Sequence, residues 1–294
     1  MSAQNNLGGT FTFPGTSITV NRMGYGAMQL AGPHVFGPPK DVDAALAVLH
    51  EAVESGINHI DTSDFYGPHV TNQIIKQALH PYAKDLTIVT KVGARRGEDG
   101  SWIMDTSAEN LKSSVEDNLR NLGLDVLPIV NLRVGGVSAP SGASIEEPLT
   151  VLAELQQQGL IQQIGLSNVS RKQFEEARPI AKIVCVQNYY NVAHREDDSF
   201  LDHLTAEGVA YVPFFPLGGF TPLQSSTLDH VASALHTRPI VVALAWLLQR
   251  SPNVLLIPGT SSVAHLRENI SAASQQIPRD LLQKLNEMGQ ASAI

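Results

Sequence analysis

Four side chains of the 294-residue chain combine into a piece of acid–base chemistry: Asp61, Tyr66, Lys91 and Arg133. A tyrosine hydroxyl titrates at about 10 and is a poor acid at neutral pH. An ammonium beside it stabilises the phenolate, and a carboxylate fixes the ammonium's charge and position. Brought together, Asp61, Lys91 and Tyr66 make a tuned general acid, able to protonate a carbonyl oxygen as hydride arrives at the carbon. Arg133 is permanently charged and only donates, which suits a developing oxyanion or an anionic substrate group. The plainer alternative is a buried Asp61–Lys91 salt bridge covered by Tyr66, with Arg133 paired to Asp61 or Asp64. Only the fold can decide between them, since the four residues are far apart in sequence.

The elements that must position them are legible as an alternation. Short β-branched or apolar runs lie near 23–28, 57–61, 86–91, 127–133, 161–167, 183–187, 209–214 and 254–257. Amphipathic stretches with helical spacing lie near 41–55, 70–79, 107–121, 145–158, 171–181, 197–207, 239–250 and 263–273. Capping boxes are expected at Thr106/Glu109, Ser144/Glu147 and Ser170/Gln173. Ahead of the alternation, Thr10–Phe13, a Pro14-Gly15 turn and Ser17–Val20 read as a hairpin. Several strands are apolar throughout (Ile183-Val-Cys-Val186, Val254-Leu-Leu-Ile257), as strands covered on both faces are. Eight strand–helix pairs without a linker predict one α/β domain over 1–294, a (β/α)8 TIM barrel with an N-terminal β-hairpin.

In such a barrel the chemistry sits where the strands end. The expected strand ends are Gly26-Ala27-Met28, Asp61, Lys91, Arg133, Ser167-Asn168, Gln187, Phe214 followed by Pro216-Leu217, and Gly259-Thr260-Ser261-Ser262. Asp61, Tyr66, Lys91 and Arg133 therefore converge on one mouth. Two long loops, between Asn188 and Glu196 and between Pro216 and Thr227, are expected at the same end.

Composition excludes several other classes. With 28 acidic against 20 basic residues the net charge is -8, which argues against a nucleic-acid partner. The single cysteine, Cys185, excludes a disulfide framework and reads as a small core residue. No apolar run spans a bilayer and the first residues do not resemble a leader, so a soluble, cytoplasmic monomer or small homo-oligomer is expected. Gly24-Tyr-Gly26 lacks the third glycine of a dinucleotide fingerprint, and Gly32–Gly37 is followed by Pro38-Pro39 instead of Lys-Ser/Thr. His194 and His203 read as surface residues, and Arg95 and Arg96, after Lys91, as surface charge or as donors to an anionic substrate.

The ordered run Gly56-x-Asn-x-Ile-Asp61-Thr-Ser-x-x-Tyr66-Gly67 resembles the signature of the aldo-keto reductase superfamily. The resemblance continues through Lys91, Gly165-Leu-Ser-Asn168, Val186-Gln-Asn188, Pro216-Leu-Gly-Gly219, Ile257-Pro-Gly-Thr-Ser-Ser262 and His265-Leu-Arg-Glu-Asn269. The wording around Asp61 is also similar to the bacterial branch that contains pyridoxal reductases. What this implies is NADPH-dependent reduction of a small aldehyde or ketone, with a pyridoxal-like aromatic aldehyde as the first substrate. Tyr66 would be the acid, tuned by Lys91 and Asp61. Ser167, Asn168 and Gln187 match the family's holders of the nicotinamide carboxamide, and Phe214 the aromatic that stacks on its ring. Glu268 and Asn269 match its adenine-side residues, and Gly26, Ala27, Met28, Pro216 and Leu217 fall along the same cofactor path.

Two departures stand out. Most members carry a histidine where this chain has Arg133. Where the family often has a lysine and an arginine for the 2′-phosphate, this chain has Gly259 and His265. Thr260, Ser261 and Ser262 still offer hydroxyls and N–H groups at a helix start. NADPH is the expected cofactor, with NADH as the second candidate. The competing expectation is a non-catalytic NADP(H)-binding barrel, acting as a regulatory or redox-sensing subunit, and the missing histidine is its support.

Overall fold

The computed structural model describes residues 7–136, 139–219 and 225–290. The start of the chain and residues 220–224, in the second expected loop, lie outside the described residues. Seven strands run parallel in chain order: Tyr25–Gly26, His59–Asp61, Thr87–Val92, Leu127–Arg133, Ile161–Ser167, Ile183–Gln187 and Ala210–Tyr211. The expected eighth strand closes the barrel through single parallel bridges, Val254 to Tyr211, Leu256 to Met23 and Gly259 to Gly26. Pro252 and Pro258 bracket that segment and lack N–H groups, so its ladder is short. The described residues thus form the expected (β/α)8 barrel.

All eight expected helices are present, from Val42–Glu54 to Val263–Ser271, with two further ones, Ser226–Ala234 and Arg279–Gln290. The Ser170/Gln173 capping box forms in full. The other two do not. Ser107, not Thr106, caps Ala108–Leu122, accepting from the Asn110 N–H. Ser144 instead donates to Glu176 and leaves Ile145 at the cap position. The helix expected over 171–181 ends at Ala177, and Pro179, two residues on, has no N–H with which to carry the helical ladder further. No single helix among the described residues is long and apolar enough to cross a membrane.

Two apolar layers hold the barrel. The outer one packs strand residues such as Ile60, Ile88, Val130, Ile164 and Val186 against the helices. The inner one stacks Val89, Ile129, Val184, Cys185, Ala210, Val212 and Leu255 inside the barrel, and the N-terminal hairpin plugs its floor with Phe13 and Val20. That hairpin pairs Thr10–Thr12 with Thr19–Asn21. Because side chains alternate along a strand, the residues two or four beyond this inner layer point up into the mouth. Val89 is followed by Lys91, Ile129 by Asn131 and Arg133, Cys185 by Gln187, and Val212 by Phe214. The period of two that builds the core therefore also aims the site.

Closure of the ring leans on Arg22. Its guanidinium donates to the carbonyls of Gly8 at 3.1 Å, Leu248 at 2.7 Å, Ser251 at 2.6 Å and Val254 at 3.1 Å. Its own carbonyl accepts the Leu256 N–H at 2.8 Å. Arg22→Met leaves four carbonyls without their donor, and a loss of about 3 kcal/mol is expected in urea unfolding. A change below about 1 kcal/mol would show that the seam does not need it.

Candidate active site

At the centre of the mouth Lys91 Nζ lies 2.5 Å from Asp61 Oδ1 and donates to the Thr62 carbonyl at 3.0 Å. Both side chains are 4% exposed. The second Asp61 oxygen accepts from Gln187 Nε2 at 2.8 Å. Every charge in this pair is thus matched inside the protein. Burial alone pulls the Lys91 pKa down. The Asp61 carboxylate, helped by the Tyr66 phenol, more than reverses this and holds it above its ordinary value. The Lys91 ammonium lies 5.3 Å from the centre of the Tyr66 ring.

Tyr66 is carried by a loop folded on a polar knot. Asp64, buried, receives His69 at 2.5 Å on one oxygen and Asn72 and Asn121 at 3.1 and 2.9 Å on the other. Burial pushes the Asp64 pKa up, against these donors. The Tyr66 N–H donates to the Ser63 carbonyl, its carbonyl accepts from Thr71, and Gly67 bonds to Val35 and Gly37 of the first loop. His59, two residues below Asp61, is driven down to about 4 by burial and stays neutral. It takes no part in the mouth.

Above the pair lies a cleft of about 270 Å³. Of the sequence-derived candidates, Gly26, Met28, Asp61, Tyr66, Lys91, Arg133, Gln187, Phe214, Pro216, Leu217 and Gly259 line it. Ala27 does not, because it is buried in the outer core. Gly26 has no room for a side chain: a Cβ there would stand 2.4 Å from the Ile257 carbonyl oxygen. The cleft also has a wall of Phe65, Trp102 and Met104, which lie outside the expected strand ends, beside Phe215, which follows Phe214 at one of them. Phe65 lies inside the quoted signature and Trp102 follows Lys91, but their convergence depends on loop geometry.

Arg133 pairs with neither carboxylate proposed for it. The oxygens of Asp61 and Asp64 are taken by the groups above, and Arg133 bonds Ser167 Oγ at 3.4 Å and the Gly136 carbonyl at 2.9 Å. Its guanidinium lies 4.9 Å from the centre of the Phe214 ring, whose orientation is set by stacking on Tyr189. Burial lowers its pKa, offset in part by Tyr66 and Asp61. Asn168, in left-handed backbone at φ 59°, donates its amide nitrogen to the carbonyls of Val134, Gly136 and Ala139. It buckles the loop after Arg133, and neither it nor Ser167 lines the cleft. Neither Arg95 nor Arg96, the alternative donors to an anionic substrate, lines the cleft: Arg95 pairs with Asp105, and Arg96 bonds backbone carbonyls.

The remaining candidates lie at the far end. Thr260 accepts the Ser262 N–H, and Ser262 caps Val263–Ser271 by accepting from His265. Ser261 is exposed on that turn. A helix start of this kind favours an anion. Glu268 pairs with Arg238, and Arg267 with Glu51. A dinucleotide fits the residues present on two observations. Gln187 Oε1 and Asn269 Oδ1 are buried acceptors without a hydrogen-bond partner, at the two ends where the resemblance puts a carboxamide and an adenine amino group.

The site is thus a buried Asp61–Lys91 pair beside Tyr66, in a cleft at the strand ends of a (β/α)8 barrel, and comparison with known proteins gives the family. The Aldo/keto reductase family model matches residues 22–290, and the chain belongs to that family. It is 66% identical over 279 residues to the pyridoxine 4-dehydrogenase of Escherichia coli, covering 94% of this chain and 97% of that protein. Among solved structures, a thermostable aldo-keto reductase in complex with the inhibitor epalrestat is 29% identical, with a TM-score of 0.79 over 95% of this chain and 99% of that one. An aldo-keto reductase from Klebsiella pneumoniae in complex with NADPH, 20% identical, shares the fold with a TM-score of 0.76, over 95% and 94% of the two chains. The chain is an oxidoreductase enzyme of the carbonyl-reducing kind.

The buried pair makes a direct prediction. Asp61→Asn leaves Lys91 charged and unmatched, at an expected cost of about 3–5 kcal/mol at neutral pH. Paired Lys91 stabilises the fold below its unfolded value of about 10, and this is lost only as pH rises through the raised folded value. In the variant, burial acts unopposed and the lysine discharges more readily. Urea unfolding should therefore show the gap between variant and parent narrowing from pH 7 to about pH 10. A gap that does not change with pH contradicts the assignment of charge to the pair.

Proposed function

We propose that the chain uses NADPH to reduce a pyridoxal-like aromatic aldehyde to its alcohol, and catalyses the reverse oxidation with NADP+, with Tyr66 as the proton donor. The observation that carries the reading is the Lys91 ammonium, locked by Asp61 and faced by Tyr66 at the floor of a cleft with aromatic walls. The relative named pyridoxine 4-dehydrogenase supports the choice of substrate.

NADPH, when bound, supplies a hydride from its nicotinamide ring. The chain's residues do the rest. The Tyr66 hydroxyl hands its proton to the carbonyl oxygen, and Lys91 stabilises the phenolate left behind. Asp61 keeps Lys91 charged and in place. Gln187 braces Asp61 through its amide nitrogen and offers Oε1 to an amide N–H donor. Arg133, where most of the family has a neutral histidine, brings a fixed positive charge to the oxygen as it gains electron density. In the reverse direction the phenolate accepts the alcohol proton. Asn269 and the helix start at Ser262 hold the adenosine end.

The test follows NADPH and NADH absorbance at 340 nm with purified protein and pyridoxal, aromatic aldehydes and glyoxals. NADPH oxidation that depends on the carbonyl, with pyridoxal among the preferred substrates, is expected. Tight NADPH binding without turnover on any carbonyl would overturn the reading in favour of a non-catalytic barrel.

A further inference from the structure

We propose that Arg96 is a positioning residue that fixes Trp102 as the aromatic wall of the substrate end of the cleft, so that flat aromatic aldehydes are favoured over small aliphatic ones. The inference rests on the carbonyl-reductase reading above and gives it a specificity device.

After Lys91 the chain forms a two-stranded hairpin, Ala94–Arg96 with Trp102–Met104, in which Arg96 stands directly opposite Trp102. A hairpin of this size is marginal by itself, and a tryptophan on it has no intrinsic reason to hold one orientation. Trp102 is 40% exposed, yet it meets Phe65 edge to face at 5.7 Å and Tyr66 at 6.5 Å. What holds it is the Arg96 guanidinium, 4.0 Å from the centre of its ring.

The guanidinium is itself pinned from two sides. Toward the hairpin turn, Nη2 and Nε donate to the Gly100 carbonyl at 2.6 and 3.2 Å. Toward the first barrel loop, Nη1 donates to the Val35 carbonyl at 2.6 Å and Nη2 to the His34 carbonyl at 3.2 Å. His34 and Val35 lie in left-handed backbone, at φ 59° and 58°, an uncommon conformation for a β-branched residue. The Val35 carbonyl also accepts the N–H of Gly67, next to Tyr66. One guanidinium thus joins the first loop and the hairpin, and through Val35 the loop that carries Tyr66. Arg96 does not line the cleft, so its effect on a substrate passes through Trp102. The wall it completes, Phe65, Trp102 and Met104 in the cleft that Tyr66 also lines, matches an aldehyde on a planar ring.

The experiment compares kcat/KM for 4-nitrobenzaldehyde and propanal at saturating NADPH in the parent, Arg96→Gln, Trp102→Leu and the double variant. The aromatic-to-aliphatic ratio is expected to fall about three- to tenfold in Arg96→Gln. It should fall at least as far in Trp102→Leu, and no further in the double variant, because both substitutions remove the same wall. Acrylamide quenching of tryptophan fluorescence should rise in Arg96→Gln, since the other tryptophan, Trp246, is fully buried. An unchanged ratio or unchanged quenching in Arg96→Gln overturns the proposal, as do additive losses in the double variant. Should Arg96→Gln not fold, Arg96→Lys, which keeps a cation without the planar fork, carries the same comparison. There a ratio equal to the parent's overturns it. A parent that reduces no carbonyl at all contradicts the functional reading itself, whereas active variants with parental ratios contradict only the role of Arg96.

Discussion

The ion pair between Asp61 and Lys91 is the constraint on which the site depends. Two opposite charges with 4% exposed side chains are expensive to bury, and the cost is recovered only if every lone pair and proton finds a partner. The fold meets that condition with Thr62 and Gln187, drawn from the second and sixth strand ends. Such partners cannot come from one local segment. They require the ring to close, so that residues far apart in sequence share one floor. A bare stabilising role for the pair would be met as well by apolar residues of equal volume. Its position beneath Tyr66, facing a cleft, is what makes a charged pair useful there.

Closure and aim come from the same alternation. Inward side chains build an apolar plug up to Val89, Ile129 and Cys185, and the next inward positions carry Lys91, Asn131 and Gln187. The change from apolar to polar is abrupt. Cys185 marks it: burial pushes its thiol up to about 12, so it behaves as core although Gln187 is two residues on. Gly165 belongs to the same layer for a steric reason, since a Cβ there would stand 2.0 Å from the Asn131 side-chain oxygen. Small residues on one strand make room for polar ones on its neighbour.

What the sequence disclosed follows from which interactions are local. Strand periodicity located the floor of the mouth, and the ordered motif supplied the order of its chemistry. The misplaced caps at Thr106 and Ser144 show the limit: two hydroxyls compete at residues 106 and 107, and Ser144 prefers a carboxylate on another helix, Glu176. Ser226–Ala234 and Arg279–Gln290 carry apolar residues at helical spacing, Leu228 with Val231 and Leu281 with Leu285, and no expected element covered them. Arg95 and Arg96 read alike as adjacent surface charges, but one salt-bridges Asp105 and the other binds carbonyls of the first loop. Asn168, expected from the resemblance to hold an amide, also ties the loop beside it through the carbonyls of Val134, Gly136 and Ala139. For Ser144 and Arg96 a partner distant in sequence decided the role, and no local pattern encodes that partner.

The central claim is that Tyr66, backed by Lys91, delivers the proton. Its most direct test is a single-turnover measurement in which NADPH-loaded Tyr66→Phe is mixed with pyridoxal and nicotinamide fluorescence is followed. The account predicts that the variant still binds NADPH and that hydride transfer slows by about 10²–10⁴-fold relative to the parent. Equal single-turnover rates would contradict it, and would place the acid elsewhere in the mouth.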